Sequence, residues 1–101
     1  MARNREVSEG VQEQGADESI RYTLSVSPAP SSIVSVKVYE LPAYTDVTST
    51  VMPSGTASYV GSVITLPLLT ALTTDRAYRI EVRYSDGVNT IEPYMMVQCR
   101  R

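Results

Sequence analysis

An alternation of apolar and charged residues near the C-terminus most constrains the fold of this chain. Between residues 78 and 84, Tyr, Ile or Val occupies each even position and Arg or Glu each odd position. A period of two residues is typical of a β-strand with one buried and one solvated face. The pair Asp86-Gly87 then favours a chain reversal, and a second apolar run covers residues 91–99. The pattern therefore predicts a hairpin of two long strands.

Five further strands are predicted upstream, separated by proline or glycine residues that punctuate sheets. They cover residues 19–27, 33–41, 46–52, 57–60 and 62–66. Alternating apolar residues of the first two are expected to face the same core as the hairpin; these are Tyr22, Leu24, Val26, Val34, Val36 and Val38. Regular short strands without a long helix indicate an all-β fold, here a seven-stranded antiparallel β-sandwich.

The sequence predicts two regions, an extended polar N-terminal arm of residues 1–18 and a β-sandwich of residues 19–101. The arm carries five carboxylates and two arginines, with Val7 and Val11 as its only larger aliphatic residues. Such a segment cannot bury enough apolar surface to fold alone. We therefore expect a partner or a neighbouring subunit to order the arm, while the remainder has room for a single core.

A short motif links the hairpin to known β-sandwich families. Leu72 precedes Tyr78 by six residues, across a polar corner at residues 73–75. This spacing resembles the tyrosine corner of fibronectin type III and related immunoglobulin-like modules, and the resemblance extends over residues 19–99. It implies an immunoglobulin-like sandwich in which the Tyr78 hydroxyl bonds to the backbone near Leu72. The chain departs from antibody domains because it has no Trp and a single Cys, Cys99.

The composition argues against catalysis and against a metal or cofactor site. Histidine is absent, which removes the commonest general base near neutral pH and the commonest metal ligand. The serines lie in no GxSxG context, and the five glycines are scattered singly, so no nucleophile elbow or phosphate-binding loop occurs. Scattered acidic residues such as Asp46, Asp75 and Asp86 form no calcium-loop motif. We expect no enzymatic activity, no cofactor and no metal.

Charge and hydropathy also limit the partners. A formal net charge of −2 disfavours direct binding to the phosphates of a nucleic acid. No stretch approaches the roughly 20 apolar residues that span a bilayer, and the first ten residues lack the apolar region of a secretory signal. We expect a protein that is made in the cytoplasm and that contacts neither a membrane nor nucleic acid directly.

The basic and aromatic residues are of the types enriched in protein interfaces. Eight of the nine basic residues are Arg, and all seven aromatic residues are Tyr. Arg offers bidentate hydrogen bonds to carboxylates on a partner. The predicted partner interface comprises Arg3, Arg5, Val7, Val11, Tyr39, Tyr44, Tyr59, Arg79, Arg83, Tyr94, Arg100 and Arg101.

A sandwich with a polar arm and no active-site chemistry resembles the small immunoglobulin-like structural proteins of tailed bacteriophages. The resemblance implies a virion protein, either a head-to-tail connector in the neck or a capsid cement or decoration protein. Its partners would be capsid, portal or neck proteins and like subunits in a symmetric homo-oligomer, and it would be made in the host cytoplasm. Two alternatives stay open. Loops at residues 41–46 or 85–90 could recognise a carbohydrate or protein receptor, or an edge strand could pair with a regulated enzyme.

Overall fold

The computed structural model describes residues 12–53 and 56–100. Within these residues the chain forms nine β-strands and one short helix, which confirms the predicted all-β class. The elements are β1 (Gln12–Gln14), β2 (Thr23–Ser25), β3 (Ser32–Leu41), β4 (Thr45–Asp46), α1 (Thr48–Val51), β5 (Ser58–Val60), β6 (Val63–Thr65), β7 (Ala77–Ser85), β8 (Thr90–Ile91) and β9 (Tyr94–Cys99).

The strands form two sheets around a shared core. The first has the order β1-β9-β7-β3-β4, with β8 paired to β7, and the second has the order β2-β6-β5. All described pairs are antiparallel except β1 and β9, which run parallel. The prediction of a purely antiparallel arrangement is therefore wrong at this edge, where the first sheet is mixed.

The strand β7 lies at the centre of the first sheet and supplies much of the core. Its four apolar residues at positions 78, 80, 82 and 84 are all buried, as the alternation predicted, and they pack with Leu24 and Ile64 of the second sheet. Full burial of an aliphatic side chain contributes about 1.5–3 kcal/mol. After β7, the Asp86 carboxylate accepts hydrogen bonds from the backbone N–H groups of Val88 and Asn89, which stabilises the predicted chain reversal.

Residues 12–18, which the sequence had placed in the arm, belong to the folded part of the chain. Gln14 on β1 is buried although it is polar. Its Nε2 donates to the carbonyl oxygens of Leu69 at 2.9 Å and Glu18 at 2.8 Å, and its Oε1 accepts from the Tyr22 hydroxyl at 3.0 Å. These bonds offset the desolvation of the amide. The remainder of the predicted arm, residues 1–11, lies outside the described residues.

A β-bulge changes which residues of β3 face the core. The register between β3 and β7 shifts between Ile33 and Ser35, so the extra residue, Val34, turns outward and is 56% exposed. Ile33 and Val36 pack against the core instead. The prediction that Val34 faces the core is therefore wrong.

The predicted strand at residues 46–52 is also wrong, because this segment contains the end of β4 and the helix α1. The Asp46 carboxylate accepts hydrogen bonds from the backbone N–H and the hydroxyl of Thr48, a local side-chain pattern that favours a turn over a strand. Val47 and Val51, four residues apart, both contact the core. This spacing suits one helical turn.

Candidate interaction surface

Three tyrosines and one arginine form a continuous surface on the outer face of the first sheet, which we call the Tyr/Arg patch: Tyr39, Tyr44, Arg79 and Tyr94. Tyr39 lies on β3 directly opposite Arg79 on β7, Tyr94 begins β9, and Tyr44 projects from the turn before β4. The rings of Tyr39 and Tyr44 stack with centroids 4.7 Å apart and planes at 13°. The Arg79 guanidinium carbon lies 3.8 Å from the centroid of the Tyr94 ring, a cation–π geometry.

A carboxylate beneath the patch holds its polar groups in place. One oxygen of Glu81, Oε2, accepts hydrogen bonds from Arg79 Nε at 2.8 Å and from the Tyr44 hydroxyl at 2.7 Å. The pKa of Tyr44 is raised above its ordinary value, mainly because the hydrogen bond to Glu81 favours the protonated phenol. The two side chains are thus oriented before any partner binds, which lowers the ordering cost of an interface.

The backbone at Tyr44 has a conformation that bulky residues rarely adopt. Its φ is +64°, in the left-handed region, which costs a non-glycine residue on the order of 1–3 kcal/mol. The stack on Tyr39 and the hydrogen bond to Glu81 retain the side chain in this position. Ala71 and Asp75 also have a positive φ, so Tyr44 belongs to the candidate site through its contacts with Tyr39 and Glu81.

Two further ion pairs lie on this face. Arg83 forms an ion pair with Glu92, and Lys37 Nζ lies 3.9 Å from an oxygen of Asp46. A shallow depression of about 90 Å³ lies between these groups, well below the several hundred Å³ of ordinary ligand pockets. Two carboxylates that line this depression each accept a hydrogen bond from an arginine, Glu81 from Arg79 and Glu92 from Arg83.

Other residues of the predicted interface lie elsewhere. Tyr59 is on β5, at the edge of the second sheet, and its hydroxyl donates to the carbonyl of Ser31. Arg100 follows β9, with its Nε 3.5 Å from a Glu13 carboxylate oxygen. Five members lie outside the described residues; these are Arg3, Arg5, Val7, Val11 and Arg101. Of the seven predicted interface residues that the structure describes, four lie together in the Tyr/Arg patch, and Arg83 lies farther along the same face.

The tyrosine of the predicted corner is part of the core. Tyr78 and Leu72 are both buried, and the Tyr78 hydroxyl accepts a hydrogen bond from the backbone N–H of Thr73 at 2.7 Å. The same hydroxyl donates to Glu40 Oε2 at 3.1 Å, and burial raises the pKa of Tyr78. Glu40 was not singled out in the sequence, although its cross-strand position opposite Tyr78 follows once the register is known.

Three other features of the described residues concern a metal-binding cluster, a membrane-spanning helix and an accessible cysteine. Among the described residues, no three His, Cys, Asp or Glu side chains lie close enough together to hold a metal ion. No helix in residues 12–53 and 56–100 is both long and apolar enough to cross a membrane. Cys99 is buried, and its burial raises the pKa of the thiol.

Sequence reasoning missed two features of the surface. The position of Glu81 between Arg79 and Arg83 on a solvated face was the available signal for an ion pair. The stack of Tyr39 on Tyr44 carries no periodic signal, since the two residues are joined through a turn with a left-handed backbone.

No family model, curated protein or solved structure matches this chain.

Proposed function

We propose that this chain is a non-enzymatic structural protein of a tailed-phage virion, an immunoglobulin-like connector or capsid cement protein of the head-neck region. The observation that carries the proposal is the Tyr/Arg patch, a surface of interface-type side chains that already contact one another on a small β domain. The resemblance to phage structural proteins supplies the biological setting. The chemistry of the patch supplies the mode of action, which is binding to another protein.

The strand order supports the immunoglobulin-like part of this proposal. Under this proposal, β9, β7, β3 and β4 correspond to strands G, F, C and C′ of that fold, and β2, β6 and β5 correspond to strands B, E and D. Tyr78, the second residue of β7, receives the Thr73 N–H from five residues upstream. This bond resembles the tyrosine corner of immunoglobulin-like folds, in which a tyrosine near the start of strand F bonds to the backbone a few residues upstream.

The patch has the properties of an interface hot spot. Tyr and Arg dominate such sites because they supply large contact areas and directed hydrogen bonds. The stacked Tyr pair and the cation–π contact are already formed, so little side-chain entropy remains to be lost on binding. The polar groups around them would form the rim. Capsid, portal or neck proteins and like subunits are the proposed partners, in a symmetric oligomer within the virion.

Incorporation into particles tests the proposal. A tagged chain is expressed in the host during particle production, particles are banded on a density gradient, and copies per particle are counted by quantitative mass spectrometry. We expect a fixed copy number for the natural chain and at least about a tenfold loss for Arg79→Ala, the reduction that about 1.4 kcal/mol of binding energy represents. Arg21→Ala, at an exposed position outside the patch, is the control and should incorporate normally. Absence of the natural chain from particles refutes the virion role, and equal incorporation of both variants refutes the role of the patch.

A second candidate, a receptor-binding module, is favoured by one observation. The loop at residues 41–46 presents the exposed ring of Tyr44 stacked on Tyr39, and a flat aromatic platform with adjacent polar groups suits a ring-shaped ligand. A glycan array probed with the natural chain and with Tyr44→Ala separates the two functions. Binding that is lost in the variant supports the module.

A further inference from the structure

A groove lined by apolar residues and by the hydroxyl residues Ser35, Thr48 and Thr56 lies beside β3, on the side away from β7. Its volume is about 290 Å³ and none of its lining residues is charged; they are Ile33, Val34, Ser35, Val36, Thr48, Met52, Thr56, Ala57 and Pro67. An apolar cavity of about 150 Å³ accommodates a benzene molecule, so this groove has room for two small apolar side chains. It is separate from the Tyr/Arg patch.

The backbone of β3 is open along this groove. Among the described residues, β4 covers β3 only at Tyr39 and Glu40, and the segment after β4 covers Val38. There the Val38 N–H donates to the Thr48 hydroxyl, and the Val38 carbonyl accepts from the Val47 N–H. Backbone groups of alternate residues point to the same side of a strand. The N–H and C=O of Val36 therefore point to this side too, where no described strand pairs with β3.

We infer that the groove and the adjacent edge of β3 receive the N-terminal segment, residues 1–11, of a second copy of this chain, added as a strand with Val7 and Val11 directed into the groove. This inference rests on the proposed assembly function and names the surface to which the arm binds. The mode is β-strand addition, in which backbone hydrogen bonds provide affinity and side-chain pockets provide register.

The composition of the segment matches the groove. Residues 1–11 contain two arginines and two glutamates, so their side chains are neutral overall, and the groove lining is uncharged. Val7 and Val11 are the only branched aliphatic residues of the segment. Residues whose numbers differ by an even amount lie on one face of an extended chain. Val7 and Val11 differ by four, so both side chains can insert from the same side.

Strand order points to a second copy as the source of the segment. Gln12 lies on β1, at the opposite edge of the sheet from the groove, with β9 and β7 between β1 and β3. Three strand spacings of about 4.8 Å separate β1 from β3, whereas one residue spans at most about 3.6 Å. Val11 of the same chain therefore cannot reach the groove. The contact must join unlike edges of two copies, a head-to-tail arrangement that closes into a ring or extends as a filament.

Cysteine cross-linking between two singly substituted full-length proteins tests the contact. Val7→Cys protein is mixed with Val34→Cys protein under mild oxidation, so that any mixed disulfide joins different chains. Val34 is exposed, which allows substitution without loss of the core, and the native Cys99 is buried. The control partner is Val88→Cys, since Val88 is a 90% exposed valine in the loop after β7. We expect the Val34→Cys mixture to form mixed dimers about tenfold faster or more, because docking raises the local thiol concentration.

Light scattering over a concentration series provides the second measurement. The natural chain should increase in mass with concentration, Val34→Asp should remain monomeric, and Val88→Asp should behave like the natural chain. Equal cross-linking of Val34→Cys and Val88→Cys, or a monomeric natural chain throughout, overturns the inference. A disulfide formed within one chain by the Val7→Cys/Val34→Cys double variant also overturns it. Incorporation into particles is measured independently, so loss of this contact with normal incorporation leaves the proposed function standing.

Discussion

The Tyr78 hydroxyl offers the sharpest test of what fixes the connection before β7 to the first sheet. Tyr78→Phe removes one oxygen atom and leaves the buried ring in place. The change eliminates the bond from the Thr73 N–H and the bond to the Glu40 carboxylate. Because the ring remains, the change creates little cavity, and any loss of stability reports on the two hydrogen bonds.

The expected loss follows from the partners. A neutral hydrogen bond contributes about 0.5–1.5 kcal/mol and one to a charged group about 1.5–3 kcal/mol. Glu40 is only partly buried and can be hydrated again in the variant, so the lower part of the summed range applies. We expect Tyr78→Phe to lower the free energy of unfolding by about 2 kcal/mol. For a domain of this size, that corresponds to a decrease in Tm of about 8–16 °C.

Urea denaturation followed by circular dichroism measures the change, with the m-value as a check that the unfolded state is unaltered. Tyr39→Phe is the matched control, since the described residues show no hydrogen bond from its hydroxyl, and it should change stability by less than about 0.5 kcal/mol. Glu40→Gln keeps an acceptor near Tyr78 but removes its charge. A double-mutant cycle of Tyr78→Phe with Glu40→Gln then isolates the coupling between the two residues.

A Tyr78→Phe protein that is as stable as the Tyr39→Phe control would refute the argument. It would mean that water replaces both bonds without loss and that the buried ring alone carries the stabilising role. A large loss with no coupling to Glu40→Gln would instead assign the effect to the Thr73 N–H, which the variant leaves without its acceptor.

Three further predictions concern other parts of the chain. Gln14→Ala should lower the unfolding free energy by about 2–3 kcal/mol, because it removes the three hydrogen bonds of a buried amide, each of which contributes about 1 kcal/mol; chemical denaturation checks this. Leu24→Ala should cost about 2–5 kcal/mol by opening a cavity in the core, whereas Val34→Ala in the same assay should change stability by under about 0.5 kcal/mol. Glu81→Gln should lower the pKa of Tyr44, as measured by ultraviolet titration against Tyr44→Phe; the stability from this bond is present at neutral pH and is lost as pH rises through the folded-state pKa.

The central hairpin was predictable from the sequence because its signal is local. The alternation at residues 78–84 specifies which side chains are buried, since a period of two places every second residue on one face. The turn at Asp86 also depends on short-range hydrogen bonds from Asp86 to its neighbours. These features need no information about the rest of the chain.

The edge strand β1 could not be predicted because it has no such pattern. The segment Gln12–Gln14 is wholly polar and short, and its strand conformation comes from pairing with β9. Gln14 is buried only because groups 8 and 55 residues away in sequence complete its hydrogen bonds. A bulge had a similar effect in β3, where the shifted register moved Val34 from the expected core position to the surface.

The sequence by itself determined the all-β class, the buried face of β7 and the residue types available for binding. Only the tertiary structure decided which of those residues meet, because Tyr39, Arg79 and Tyr94 lie on three different strands. Their proximity depends on the order β9-β7-β3 and on the register within it. The open edge of β3 likewise depends on how little of it β4 covers. Local patterns specify which face of a strand is apolar, whereas neighbours across a sheet are set by long-range pairing.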